Sequence, residues 1–212
     1  MSAPTDDLLE KGFINTLADD VQIALERLLT EDSPLHRREA LRSTFAAIEG
    51  AAWIYRQHIR RVANDLDLLT PLLELALQER SYLVSDRGEL IEQTRFVSLP
   101  AMVRLTTDIA RKVNPTFTWN FGEEGWEKLK RAIQVRNRLT HPKTNADLRV
   151  TLNDVNTVRG GFFWLLALVI EGMEAANRSM TQWNKEAHWL LDGLRNGDPE
   201  AWAMYRRALD EH

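Results

Sequence analysis

Residues 41–66 read LRSTFAAIEGAAWIYRQHIRRVANDL, and the apolar side chains of this stretch decide the fold class. They recur at intervals of four and three residues, which keeps them on one face of a helix for several turns. They are Leu41, Phe45, Ile48, Ala52, Tyr55, Ile59, Val62 and Leu66. Just upstream, Ser33 and Pro34 are typical of an N-cap and a first helical turn. The stretch therefore predicts a long amphipathic helix that begins near residue 34.

The rest of the chain repeats the helical pattern between proline and glycine breaks. An aromatic loop is expected at 114–122 and a short extended segment at 148–152, and Asn153 or Asp154 is expected to cap the helix that follows. Further helices are predicted at 8–29, 71–82, 98–113, 123–140 and 153–177, and two short C-terminal ones at 183–195 and 199–210. The fold class is all-α, a helical bundle of about five main helices plus short C-terminal helices. We expect residues 1–182 to form the bundle and residues 183–212 a C-terminal helical extension.

Composition is that of an ordinary globular protein with a hydrophobic core. Among the 212 residues, 44% are hydrophobic and 27% charged, the net charge is -4, and there is no cysteine. The longest strongly apolar run, 162–170, is too short for a bilayer, which needs about 20 residues, and fits a central core helix. The N-terminus is acidic, unlike a signal peptide. We expect a cytoplasmic protein without membrane contact or cofactor, in which nucleic-acid binding would need a local basic patch.

The segment most suggestive of chemistry is Arg136-Asn137-Arg138-Leu139-Thr140-His141, followed by Pro142. An arginine stabilises negative charge and a histidine moves protons, which together suffice for metal-free chemistry on a phosphodiester. Side chains five apart on a regular helix point about 140° apart. Because Pro142 biases His141 away from helical dihedrals, we expect the helix to stop near Thr140 and His141 to turn back. The helix C-terminus also favours a protonated imidazole.

The context of Arg136 adds weight that the spacing alone lacks. A second pair with the same spacing, Arg207 and His212, occurs at the C-terminus without an asparagine after the arginine. On the motif helix, Leu129 and Ile133 form an apolar line that turns polar at Arg136. Arg136 is therefore expected to face a cleft.

With Arg136, Asn137 and His141 in place, the sequence resembles the HEPN ribonucleases, whose hallmark is Arg, then Asn or Asp, three variable residues and His. The resemblance includes the motif late in one helix, a long apolar helix after it, and the earlier core helix around residues 45–50. It covers roughly residues 35–180. It leaves 1–30 and 181–212 unexplained.

The resemblance implies a metal-independent endoribonuclease of toxin or antiphage type that acts as a homodimer. One chain offers one motif histidine, and a two-fold dimer brings two to one cleft, where one acts as base and the other as acid. Arg136 is expected to hold the phosphate, and Asn137 to orient the histidine or the phosphate. The required 2′-OH makes RNA the expected substrate. An antitoxin or other inhibitory protein is an expected partner.

Other residues are weaker candidates for the same site. Glu49 either pairs with Arg136, orients His141, or is a boundary carboxylate beside any nearby base. Trp119 is the tryptophan proposed to stack on a base, whereas Trp126 and Trp164 are expected in the core. Basic residues on the motif segment are candidates for the RNA backbone, namely Lys130, Arg138 and Lys143. A second basic cluster, Arg56, His58, Arg60 and Arg61, has the alternative of a solvated helix face.

The alternative function is a non-catalytic helical-bundle module that binds RNA or a protein partner. It predicts that Arg136 and His141 can be replaced without loss of function.

Overall fold

A computed structural model describes the backbone of residues 6–210 and the side chains of residues 12–209. His212, the histidine of the second pair, lies outside the described residues. Over the described range the fold is all-α with one small hairpin, which confirms the predicted class. The elements are α1 (Asp6–Thr30), α2 (Pro34–Asp65), α3 (Pro71–Leu77), β1 (Arg80–Val84), β2 (Leu90–Thr94), α4 (Leu99–Val113), α5 (Glu124–Thr140), α6 (Leu152–Arg195) and α7 (Pro199–Asp210).

Helix α2 begins and packs as the sequence predicts. The Ser33 side chain accepts a hydrogen bond from the His36 N–H at 3.2 Å, and Pro34 occupies the first turn. Seven of the eight residues in the predicted apolar line are buried, and Leu66 is partly buried. This face of α2 contacts α1, α4 and α6.

Helices α5 and α6 approach each other closely where α6 carries a glycine. A Cβ added to Gly161 would lie 2.8 Å from both the Cα and the N of Leu129 on α5. Only a residue without a side chain permits this backbone contact. The approach fixes the helix that carries Arg136 and His141 against the centre of the bundle.

The start of α6 differs slightly from the prediction. The N-cap is Thr151, which accepts a hydrogen bond from the Asp154 N–H, while the Asp154 carboxylate accepts one from the Thr151 N–H. This reciprocal capping box satisfies two backbone donors at once. Of the extended segment predicted at 148–152, Leu148 lies in a turn and Leu152 begins α6; no strand forms, although the Thr151 backbone between them is extended.

A β-hairpin replaces the end of the third predicted helix. Helix α3 ends at Leu77 rather than near Tyr82, and β1 pairs antiparallel with β2 in the register Arg80↔Thr94. Glu79, between helix and strand, has a φ of 56°, in the left-handed region that non-glycine residues rarely adopt. The side chains of the hairpin are mostly exposed, including Leu83, Val84 and Leu90.

The last long helix is longer than predicted. Helix α6 runs without a break for 44 residues, so the predicted end near Asn177 and the separate helix at 183–195 are wrong. Helix α7 then packs back against α6, where Ala201 is fully buried beside Gly193.

The apolar stretch of α6 is central but not buried all round. Leu165 and Leu168 are fully buried, whereas Phe163 and Ile170 are about half exposed. Among the described residues, no helix combines the length and apolar character needed to cross a membrane.

Candidate functional site

The motif lies at the C-terminal end of α5, where the helix stops as predicted. Thr140 is the last helical residue, and His141 is the C-cap with φ -125° and ψ 59°. Its N–H still donates to the Asn137 carbonyl at 3.0 Å, while its side chain is exposed. The non-helical dihedrals agree with the restriction that Pro142 places on the preceding residue. The backbone of His141 is therefore no longer helical, as Pro142 predicts.

The Arg136 guanidinium is held by three neighbours. Nη2 donates to Glu49 Oε1 at 2.9 Å, and Nη1 donates to Asn137 Oδ1 at 3.3 Å. The guanidinium carbon lies 5.4 Å from the centre of the Phe45 ring, within the range of a cation–π contact. Phe45 and Glu49 are one turn apart on α2, so α2 offers a ring and a carboxylate to the same arginine. The cleft-facing position predicted for Arg136 agrees with this arrangement.

These contacts show the partners of the two supporting residues. Glu49 pairs with Arg136. Asn137 contacts both motif partners, the arginine through its side chain and His141 through its backbone carbonyl. Asn137 thus joins the two ends of the motif.

The held arginine keeps donors for an anion. A guanidinium has five N–H donors in a planar fork, and the contacts above use one on each terminal nitrogen. The remaining donors suit the paired oxygens of a phosphate. Glu49 and Asn137 restrict the orientation of the fork while leaving part of it available.

Two surface grooves flank Arg136. The larger, which we call the α2–hairpin groove, has a volume of about 490 Å³ and is lined by Arg136, Asn137, Trp53 and Phe96 among others. The smaller, about 380 Å³, is lined by Arg42, Ala46, Arg136 and Thr140 among others. Both grooves also touch Phe45 and Glu49. Arg136 therefore lies on the ridge between two places where a ligand can bind.

The loop that carries His141 into α6 is tied at two points. The Asp147 carboxylate accepts hydrogen bonds from the N–H groups of Lys143 and Thr144 and from the Thr144 hydroxyl, which lower the pKa of Asp147. Arg138 donates to the Arg149 carbonyl at 3.0 Å and lies 3.5 Å from the Asp154 carboxylate. Arg138, a candidate for RNA contact, thus also joins the motif helix to the start of α6. The side chain of Lys143 is exposed on this loop.

Trp119 lies away from the motif, and Lys130 has an acidic partner on its own helix. Trp119 precedes α5, whose 17 residues put about 25 Å between its ends. It packs edge-on against Trp164 with ring centres 5.6 Å apart, and its Nε1 is buried. Lys130 pairs with Glu127 at 2.7 Å. The structure does not bring Trp119 together with Arg136 and His141.

The tryptophans predicted for the core are in place. Trp126 and Trp164 are buried, with ring centres 5.4 Å apart. The side chain of Trp164 also donates to the Glu123 carboxylate at 3.1 Å. This cluster attaches the aromatic loop to the start of α5.

The second basic cluster is paired with acidic neighbours. Arg56 pairs with Glu79 at 3.0 Å and Arg60 with Glu74 at 2.7 Å. His58 is buried and lies 3.3 Å from Arg61. The cluster is therefore less available to an RNA backbone than its sequence indicates.

Two aromatic residues of the larger groove were not identified as site residues from the sequence. Trp53 follows Glu49 by four positions on α2, and this spacing is a signal that could have found it. Phe96 follows the hairpin, and its place in the same groove as Trp53 depends on a tertiary contact that no local pattern shows.

Comparisons with protein-family models, with curated proteins and with solved structures found no match to this chain.

Proposed function

We propose that this chain is a metal-independent endoribonuclease that cleaves RNA at a dimer interface with Arg136 and His141 as catalytic residues. The supporting observation is an arginine oriented by Glu49 and Asn137 on one helical end, followed by a histidine released from that helix at its C-cap. The resemblance of the motif to the HEPN ribonucleases supports the same activity.

The reaction is transfer of the phosphodiester to the neighbouring ribose 2′-oxygen. One His141 takes the proton of the 2′-OH as this oxygen attacks phosphorus. A second, protonated His141 gives a proton to the departing 5′-oxygen, which leaves as a hydroxyl. The products are a 2′,3′-cyclic phosphate and a free 5′-OH. Arg136 stabilises the charge that develops on the phosphorane oxygens.

The need for two histidines is the reason to propose a homodimer. A two-fold axis near the end of α5 brings a second copy of the motif to the first and completes the acid–base pair. Such an enzyme damages cellular RNA, so we propose a toxin or antiphage role in the cytoplasm and restraint by an antitoxin or another inhibitory protein.

The first test is cleavage of a 5′-labelled single-stranded RNA by the purified protein in excess EDTA. We expect fragments that end in a 2′,3′-cyclic phosphate, identified by mass spectrometry, and no cleavage of DNA of the same sequence. Equal loss of RNA and DNA, or cleavage abolished by EDTA, contradicts the proposal.

Substitutions assign the reaction to the motif. His141→Ala and Arg136→Ala are each expected to lower the single-turnover rate at least about 100-fold, since each removes an acid–base or charge-stabilising group. The matched controls are Arg207→Ala and His212→Ala, which alter the second pair of the same spacing. Wild-type rates in the motif variants contradict the assignment.

A non-catalytic binding module remains the second candidate, and two observations favour it. The Arg136–Glu49 ion pair can serve as a helix–helix tie, and the C-terminal helices expose Trp183, Trp189 and Trp202 as a protein-binding surface does. This function predicts an RNA or protein complex that survives Arg136→Ala and His141→Ala, and no cleaved RNA.

A further inference from the structure

One face of α2 leads from the proposed phosphate site to an exposed tryptophan. Phe45, Glu49 and Trp53 follow one another at four-residue intervals, which puts neighbouring Cβ atoms about 5–6 Å apart. The first two contact Arg136, and the third is 45% exposed in the α2–hairpin groove. One step along this face is comparable to the separation of a nucleotide's phosphate and base.

Trp53 is supported from behind. The ring of Phe13 on α1 meets it edge-on, with centres 6.2 Å apart and planes at 72°. An aromatic side chain that is braced on one side and open on the other loses little freedom when a planar ligand stacks on it.

Phe96 lines the same groove, on a segment fixed at both sides. The residue before it, Arg95, donates its N–H to the Glu79 carbonyl at 2.7 Å. The residue after it, Val97, donates its N–H to Glu79 Oε1 at 3.0 Å. Phe96 itself is 91% exposed, the highest value among the large apolar side chains described. Phe96 and the half-exposed Trp53 line one groove, and exposed apolar surface grouped in this way is typical of a binding site.

Glu79, which accepts these two hydrogen bonds, has a strained backbone. Its φ of 56° is unfavourable for a residue with a side chain, and such strain concentrates at functional sites. Burial raises the pKa of Glu79, but the Val97 N–H and the Arg56 guanidinium outweigh it, so the pKa lies below its usual value. The carboxylate is therefore charged at neutral pH and holds the Phe96 segment against α2.

We propose that the α2–hairpin groove binds one unpaired nucleobase of the RNA substrate between Trp53 and Phe96, next to the phosphate held by Arg136. The inference rests on the proposed ribonuclease function and adds the subsite that selects single-stranded RNA. Stacking on aromatic faces accepts any base, so Trp53 and Phe96 favour an unpaired base without reading its identity. Asn137 and the Arg56–Glu79 pair also border the groove and provide polar contacts at the base edge.

The occupant is a nucleobase because cationic and aromatic groups alternate along the groove. Arg136 and Arg56 flank Trp53, and both arginines are oriented by carboxylates rather than mobile. A phosphate beside a flat ring matches this alternation, whereas an apolar helix from a protein would place its side chains against two ion pairs.

The test measures binding separately from cleavage. The His141→Ala protein is titrated into a 5′-fluorescein-labelled single-stranded RNA 12-mer, and binding is followed by fluorescence anisotropy. Trp53→Ala and Phe96→Ala in this background are each expected to weaken binding about five- to a hundredfold, and Trp53→Phe to restore most of it. The matched control is Tyr205→Ala, which removes an aromatic side chain of similar exposure, 40%, from α7.

A substrate lacking one base locates the contact. With an abasic residue next to the cleavable bond, Trp53→Ala is expected to add little further loss, because the base and the ring act as one pair. If the abasic residue and Trp53→Ala weaken RNA binding independently and additively, the proposed subsite is wrong. Unchanged RNA binding in both Trp53→Ala and Phe96→Ala also overturns it. So does a variant that loses the dimer in gel filtration while its remaining dimer binds RNA as wild type does, because the groove then belongs to a protein partner.

The two proposals fail in different ways. If the wild-type chain cuts no RNA but binding depends on Trp53 and Phe96, the ribonuclease fails and the base subsite stands. If wild type cuts RNA and both variants cut and bind like wild type, the subsite fails and the ribonuclease stands. Because Phe96 is almost fully exposed, its replacement tests the idea even if Trp53→Ala unfolds the protein.

Discussion

Arg136 shows how one side chain can be both structural and available. It spans from α5 to the Phe45 ring and the Glu49 carboxylate on α2, and it contacts Asn137 on its own helix. The ion pair is substantially exposed, with side chains at 36% and 49%, so its contribution to folding is about 0–1 kcal/mol. A contact that contributes so little to stability can be removed to test its effect on the orientation of the guanidinium alone.

Replacement of Glu49 separates orientation from stability. We expect Glu49→Ala to change the free energy of unfolding by less than about 1 kcal/mol in urea melts, but to lower single-turnover RNA cleavage about tenfold because Arg136 loses its alignment. Glu49→Gln keeps an oxygen acceptor, and its cleavage rate is expected to lie between those of wild type and Glu49→Ala.

The matched control for Glu49 is Glu174→Ala, which removes an exposed partner of Arg178 on α6 and should leave cleavage unchanged. A Glu49→Ala protein that cleaves at the wild-type rate shows that the pair does not orient a catalytic group.

At the scale of elements, the packing of α5 against α6 sets where the motif lies. Gly161 on α6 faces the backbone of Leu129, seven residues before Arg136, and leaves no space for a methyl group. Its neighbour Gly160 instead faces the flexible Lys128 side chain, whose Cδ would lie 2.8 Å from a Cβ added to this glycine. Two adjacent glycines of one helix therefore meet very different surroundings.

Alanine at these two positions should act in opposite directions. Gly161→Ala must push α5 away from α6 and is expected to destabilise the protein by about 1–3 kcal/mol, as overpacking does. Gly160→Ala is expected to be neutral or to stabilise by up to about 1 kcal/mol, because Lys128 can move and alanine favours a helix. Urea denaturation followed by circular dichroism measures both, and equal losses contradict the close approach.

Local sequence signals predicted the helices better than their ends. The apolar line of α2 and the Ser33 cap specify that helix without tertiary information. The predicted helix at 71–82 carries the apolar pattern of 72–77 across four polar residues, 78–81, to Tyr82, and so misses the hairpin that the turn before Gly88 marks. Helix α6 was ended too early at Asn177, a residue that weakens a helix without breaking it.

The candidate site was only partly predictable for the same physical reason. The Arg136 motif and the stop at His141 follow from nearby residues, including Pro142. The pairing with Glu49 was one of three options, and the choice depended on how α5 packs against α2. Phe96 reaches the groove through hydrogen bonds to Glu79, a contact between segments that no periodicity encodes.

At the scale of the whole molecule, the core and the C-terminal helices differ in burial. Ala176 is the last buried residue of α6, and beyond it Ala201 on α7 is the only buried residue described. The apolar side chains of this region are half exposed, among them Leu191, Met204 and Leu209. The bundle up to residue 182 thus contains nearly all of the buried apolar surface.

A truncated chain of residues 1–182 should fold without the rest. Because the removed part contributes little to the core, we expect a cooperative thermal transition within about 5 °C of the full chain, measured by circular dichroism and calorimetry. Broad, non-cooperative unfolding of the truncated chain contradicts a domain boundary at residue 182.

Because α6 is unbroken, a small tilt at one end of the helix becomes a larger displacement at the other end. One end is clamped between α2 and α5, and residues 181–195 continue for about 22 Å past Met180, which is partly buried against the core. A tilt of about 10° at the clamped end would displace the tip, and α7 with it, by about 4 Å. A small readjustment at the motif helix would thus become a visible displacement at the far end of the chain.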